Sequence, residues 1–316
     1  MKNILVTGGA GFIGSHLIKA LLDRGDSVVC VDNFNDYYSP IQKRKNISPF
    51  LENRNFKLYI DDIEDYTKMK EIFIVNQITH VAHIAARAGV RASISDPFIY
   101  ESTNLKGTLN LLSLSKDFNI QNFVFASSSS VYGNNQKVPF AETDNVDFPI
   151  SPYAATKKAT ELLAHTYHHL HNLPVICLRF FTVYGPAGRP DMAPYLFTQW
   201  IDQGKEVKRF GDGTSKRDYT YIEDIITGVV KAIDTPMGYE IINLGDNHPV
   251  ELNYFISVIE KVLGKKANIV EYPEQPGDVK VTYADITKAQ KLLNYQPTVS
   301  IEQGMENFIK WYLDNK

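Results

Sequence analysis

Apolar residues gather along the chain in short β-branched runs, separated by stretches with helical spacing. Runs at 3–7, 27–31, 56–60, 80–84, 122–126 and 175–180 predict strands. Between the first two, Phe12, Ile13, Leu17, Ala20 and Leu21 repeat at helical spacing. Strand and helix continue to alternate up to residue 180, which predicts an α/β fold, a doubly wound parallel sheet with helices on both faces. After Gly185 the alternation breaks into loops rich in Gly, Pro and Asp, with helices expected at 193–203, 251–263 and 301–313. The expected division is a first domain over 1–180 and a smaller α/β substrate-binding portion over 181–316, with 220–245 returning to the first domain.

The first strand feeds a loop whose glycines identify a ligand. Gly8, Gly11 and Gly14 stand three apart between strand and helix, with Phe12 and Ile13 opening the helix. A glycine turn there brings backbone close to a pyrophosphate, and the helix N-terminus offers it unpaired N–H groups. Asp32 and Asn33 close the second strand, where a carboxylate accepts from both ribose hydroxyls and repels a 2′-phosphate. The pattern predicts a Rossmann site for NAD.

Composition adds limits. The 316 residues, 44% hydrophobic and 22% charged, describe an ordinary globular protein, and the net charge of -3 argues against nucleic acid or an anionic membrane as partner. Met1-Lys2 leads straight into the first strand, and no run of about twenty apolar residues is present, so neither signal peptide nor membrane span is expected. Cys30 and Cys177 lie in apolar runs and read as buried reduced thiols, consistent with the cytoplasm. His165, His168 and His169 have metal-compatible spacing, yet no partner ligand is recognisable, so a solvated helix face and no metal are expected. The acidic run 61–65 is likewise expected to be mainly a solvated helix start, and the basic Lys43, Arg44 and Lys45 a solvated basic helix start, with a contact on the adenosine side as the alternative.

Two segments carry candidate chemistry. The serine run 127–130 begins where a strand ends, and Ser151-Pro152-Tyr153 opens a helix that places Lys157 four residues after Tyr153, on one face. An ammonium near a phenol is expected to lower its pKa towards that of a general base, with a serine hydroxyl sharing the substrate oxygen. Tyr153, Lys157 and Ser128 are the candidate catalytic residues.

With these segments in this order, the chain resembles the extended short-chain dehydrogenases/reductases, and among them the nucleotide-sugar epimerases. The likeness extends over Asp62-Ile63, His83-Ile84-Ala85-Ala86, Asn104, the Ser128/Tyr153/Lys157 set, Arg217 to Ile225, and Gln275-Pro276-Gly277-Asp278. The resemblance implies that Asp62 and Ile63 bind adenine, Ala85, Ala86 and Phe180 border the cofactor, and Asn104 belongs to the cofactor side as support for the active-site helix. It implies that Arg217 clamps the diphosphate of a UDP-sugar and that Asp278 lies near its ribose. Leu178 to Pro186, Gly188-Arg189-Pro190-Asp191, and Ala88-Gly89-Val90-Arg91 are similar to the UDP-glucuronate 4-epimerase subgroup, although Arg87 stands where many members carry a neutral residue.

Oxidising carbon 4 of a uronate makes a β-keto acid, which loses carbon dioxide unless its carboxylate is held out of alignment. Ser128, Ser129, Ser130 and Thr182 offer neutral hydrogen bonds for that purpose, and Arg189 a charge-assisted one. Related decarboxylases and dehydratases carry an acid in the strand-end segment; Ser128-Ser129-Ser130-Val131-Tyr132-Gly133 carries none. The resemblance therefore implies transient oxidation at carbon 4 with bound NAD, rotation of the keto sugar and re-reduction, in a homodimer built from helices over 94–118 and 153–171. A 4-epimerase of UDP-glucose or UDP-N-acetylglucosamine uses the same set, and a catalytically silent NAD-binding regulator typically lacks the Tyr/Lys pair. Incubation with UDP-glucuronate separates the three.

Overall fold

A computed structural model describes residues 2–273 and 280–316. In chain order the first strands are β1 (Asn3–Thr7), β2 (Ser27–Val31), β3 (Phe56–Tyr59), β4 (His80–His83), β5 (Asn122–Ser128), β6 (Val175–Phe180), β7 (Thr182–Tyr184), β8 (Glu206–Phe210), β9 (Lys216–Tyr221) and β10 (Tyr239–Leu244). Seven form one parallel sheet in the order β10-β6-β5-β4-β1-β2-β3. The strand side chains alternate between two apolar cores, as a sheet covered on both faces requires. Ile4, Val6, Val28 and Cys30 face one core with Leu17, Leu21, Ile225 and Val229; Leu5, Val29 and Val31 face the other with Ile72, Phe73, Leu111 and Ala164. Strand β10 pairs along β6, and the preceding helix Ile222–Asp234 packs on helix Phe12–Asp23, so this late segment lies within the large sheet's layers.

The other strands are short. Strand β9 pairs with β7, with β11 (Pro249–Glu251) and with β13 (Val281–Thr282), while β8 pairs with β12 (Asn268–Tyr272). Between β4 and β5 the continuous helix expected from the sequence is broken. It runs as Val90–Ser95, Pro97–Tyr100, a π-helical segment Glu101–Lys106, and Gly107–Asp117. Asp96, extended at φ -140 and ψ 80, precedes Pro97, whose ring disfavours helix in the residue before it. The order of the large sheet reverses between β1 and β4, and loops diverging from such a point leave a crevice at the strands' carboxyl ends.

Candidate active site

That crevice is a cavity of about 530 Å³. Its wall includes Gly8, Gly11, Phe12 and Ile13 after β1, Asp32 and Asn33 after β2, and Asp62 and Ile63 after β3. Ala85 and Ala86 follow from β4, Ser128, Ser129 and Ser130 from β5, and Phe180 and Thr182 from β6 and β7, with Tyr153, Lys157, Arg189 and Arg217 completing it. Two of the candidate site residues that the structure describes are not on this wall. Arg91 holds its guanidinium 5.7 Å from the Phe210 ring centre. Asn104 is buried behind the wall, accepting from the Arg87 N–H at 2.8 Å and donating to the Arg87 carbonyl and the Thr156 hydroxyl at 3.0 and 3.1 Å. Asp278 lies outside the described residues.

The glycine loop is shaped by contacts a side chain would destroy. Gly8 has φ +67, and a Cβ there would lie 2.7 Å from the Ala85 Cα; one on Gly14 would lie 2.2 Å from the Gly8 carbonyl oxygen. No side chain caps the helix Phe12–Asp23, so its first N–H groups remain available to the cavity. The Tyr38 hydroxyl, buried beside Gly11 and the Phe12 N–H, has no protein acceptor for its own proton. Asp32 accepts from the Ala10 N–H through one oxygen, at 3.1 Å, and from the Phe34 N–H through the other, at 2.9 Å. Each oxygen keeps a lone pair for a ribose hydroxyl. Uncapped amides, a phenol without an acceptor and a half-satisfied carboxylate fit a dinucleotide.

Tyr153 enters from the first turn of helix Pro152–His171, where Ser151 caps the N-terminus by accepting from the Ala154 N–H at 3.1 Å. Burial pushes the phenol above its ordinary value, against the Ser128 hydroxyl and the Arg189 charge, which pull it down. The expected lowering by Lys157 is therefore not what this geometry produces. Lys157 Nζ sits 5.9 Å from the Tyr153 ring centre and donates to the Ala126 carbonyl at 2.7 Å. Burial also pushes the amine down to about 7, against the nearby Glu161 carboxylate, which weakens the cation. Ser128 accepts from the Ser130 N–H at 3.2 Å, and the Ser130 hydroxyl is buried with no protein partner.

Other wall residues escape the sequence reading. Lys43 is buried, donating to the Asn35 carbonyl and side chain at 2.8 and 3.0 Å, rather than solvated like its neighbours Arg44 and Lys45. Tyr37 donates to the Ala88 carbonyl at 2.6 Å and accepts from Arg189 Nη2 at 3.1 Å. Arg189 in turn grips Asp191 through Nε–Oδ1 at 3.0 Å and Nη2–Oδ2 at 2.5 Å. The aromatic pair Tyr37-Tyr38, close behind Asp32, was the available signal for this loop. Within the acidic run, Asp62 accepts from Asn33, Glu64 accepts from Ser102 and Thr103, and Asp65 caps a helix, so these carboxylates are bonded rather than merely solvated. His165 stacks on His169, and His168 bonds the Leu173 carbonyl; no metal-binding cluster is found among the described residues.

Residues 5–308 match the family model described as GDP-mannose 4,6 dehydratase. The chain belongs to this family. Among its relatives is a UDP-glucuronate 4-epimerase of Thermodesulfobacterium geofontis, 49% identical, with 100% of this chain and 97% of that protein covered. The fold matches a crystal structure of Bacillus cereus UDP-glucuronic acid 4-epimerase in complex with UDP-glucuronic acid and NAD at a TM-score of 0.93 and 39% identity, over 99% of this chain and 100% of that one. It also matches a Thermotoga maritima UDP-glucose 4-epimerase with UDP-glucose at 0.91 and 34% identity, over 99% of each chain.

Proposed function

We propose that the protein is an NAD-dependent UDP-glucuronate 4-epimerase, interconverting UDP-glucuronate and UDP-galacturonate. The observation that carries this reading is the chemistry sharing the cavity with Tyr153: the hydroxyls of Ser128, Ser129, Ser130 and Thr182, the last two strand-end serines followed by no acid, and the Arg189 fork. Asp191 already takes the Nε–Nη2 edge of that guanidinium, which fixes where its charge lies beside the cavity. The 49% identical relative and the 39% identical structure support the same choice. Relatives acting on a neutral sugar have no carboxylate to restrain.

When bound, the nicotinamide supplies a hydride acceptor and donor for carbon 4. Tyr153, ionised to the phenolate beside the Lys157 ammonium, takes the hydroxyl proton from carbon 4 and later returns it, with Ser128 bonded to the same oxygen. Arg217 holds the diphosphate while the keto sugar turns to offer its other face. The Ser130 and Thr182 hydroxyls keep the carboxylate out of line with the ketone. In this reading 1–180 with 220–245 serves the cofactor and 181–316 mainly the sugar nucleotide. Asn104 supports from behind the wall, and Arg91 and Asp278 complete the sugar side.

We further propose a cytoplasmic homodimer. Ile94, Phe98, Leu109, Leu162 and Leu170 are exposed apolar side chains on the neighbouring helical segments, Phe98 at 81%. No helix among the described residues is long and apolar enough to cross a membrane, and both cysteines are buried free thiols. Incubation with UDP-glucuronate, followed by product identification, tests the activity. UDP-galacturonate is the expected product, and preference for UDP-glucose or UDP-N-acetylglucosamine overturns the substrate. A monomeric mass in solution overturns the dimer.

A further inference from the structure

Behind the cavity, the ends of β5 and β6 are joined by a carboxylate that belongs to neither strand. Glu161 lies one helical turn beyond Lys157 and is fully buried. One of its oxygens accepts from the Ser127 hydroxyl at 2.6 Å and from Arg179 Nε at 2.9 Å; the other accepts from Arg179 Nη2 at 2.8 Å. Ser127 and Arg179 are register partners across the two strands. The residue before Ser127 supplies the carbonyl that receives Lys157, and the residue after it is Ser128. Two successive residues of β5 are thus tied to two successive turns of the helix that delivers Tyr153.

Stability alone is a poor account of this arrangement. A buried ion pair often contributes no more than apolar side chains filling the same space, because both charges lose their hydration. Its position suggests another role. We propose that Glu161 is a positioning residue for the acid–base set, fixing Ser128 and Lys157 against Tyr153 and supplying the negative charge that keeps Lys157 cationic. This rests on the epimerase reading.

The groups facing Lys157 are few. Glu161 and Tyr153 face it from its own helix, Cys177 from β6 and His83 from β4, while Arg179 and Lys158 are cations paired with Glu161, Lys158 at 3.9 Å. Burial holds the Cys177 thiol well above its ordinary value and pushes His83 down to about 3, so both are neutral near pH 7. Burial raises the Tyr153 phenol in the free protein, so it brings no negative charge to Lys157 there. Among these, Glu161 is the anion, and its charge opposes the burial that pushes Lys157 down to about 7.

The test is the pH dependence of kcat and KM for UDP-glucuronate in E161Q, S127A and the double variant E161L/R179L. All three are expected to keep KM and to lose kcat by about 10- to 100-fold, the cost of misplacing a catalytic group. In E161Q the alkaline limb of kcat should also move to lower pH, by about one unit, because Lys157 loses its proton earlier, and in E161L/R179L, which removes the Arg179 cation as well, by less in the same direction. S127A keeps the charge and should leave that limb in place. If E161Q strands the Arg179 charge and does not fold, the double variant decides. A folded double variant with the wild-type limb and kcat makes the network merely structural and overturns the inference. If neither folds, S127A decides: wild-type kcat overturns the inference and the expected loss supports it. Wild-type protein inactive on UDP-glucuronate would instead reject the epimerase reading, which separates the two failures.

Discussion

Replacing Tyr153 by Phe removes one oxygen from the cavity wall and little else. General acid–base groups contribute about 10²- to 10⁴-fold, so kcat of Tyr153→Phe should fall by that factor while UDP-sugar binding, followed by calorimetry, stays near wild type. Activity within threefold of wild type would remove Tyr153 from the mechanism. A second substitution probes the carboxylate. Loss of one neutral hydrogen bond costs about 0.5–1.5 kcal/mol, enough to change partitioning severalfold. Thr182→Ala or Ser130→Ala should therefore release more carbon dioxide and UDP-4-keto-pentose from UDP-glucuronate than wild type does, with the cofactor left as NADH, as read by product chromatography. Unchanged decarboxylation would reject these hydroxyls as anchors. Ser128, Tyr153 and Lys157 are legible in the sequence because one strand end and one helical turn hold them at fixed spacing. Tyr37 is not, since an irregular loop folds it back to the cavity without any periodic trace.

At the scale of elements, β4 carries an unusual pair. His80 and His83 are both buried, with His83 bridging the Thr7 and Thr108 hydroxyls at 2.7 and 2.9 Å. Burial pushes His80 down to about 4 and His83 to about 3. Unfolded histidine titrates near 6.5, so the unfolded chain binds more protons between the two values. The stabilisation from neutral histidines is complete above about pH 6.5 and fades as pH falls towards 3. Urea midpoints should accordingly fall from pH 7 to pH 5, and more shallowly in His83→Gln; an equal slope would deny His83 its part. Strands β1 to β6 are legible to within two residues at either end, because runs that are apolar on both faces leave little choice of structure. The helix between β4 and β5 is less so. Its π-helical segment places Asn104 against the Arg87 backbone and Thr156, a demand set by neighbours distant in sequence.

Across the whole molecule, the alternation of strand and helix makes the doubly wound sheet legible. The partnering of the small strands around β9 is not, since strands of two or three residues carry too little pattern. Another long-range contact has a consequence for handling the protein. The hydroxyl of Tyr37, from the loop after β2, meets Arg189 from the loop after β7, and Asp191 holds that guanidinium in place. Both loops border the same cavity, so the contact ties one rim of it to the other. Cofactor residence, rather than cofactor affinity in the first encounter, is what the clasp should govern. Wild-type protein should emerge from gel filtration with its dinucleotide still aboard. Tyr37→Phe should exchange labelled NAD faster and emerge partly depleted; equal exchange rates would mean that the rim is open and that retention is decided deeper, at Asp32 and the glycine loop.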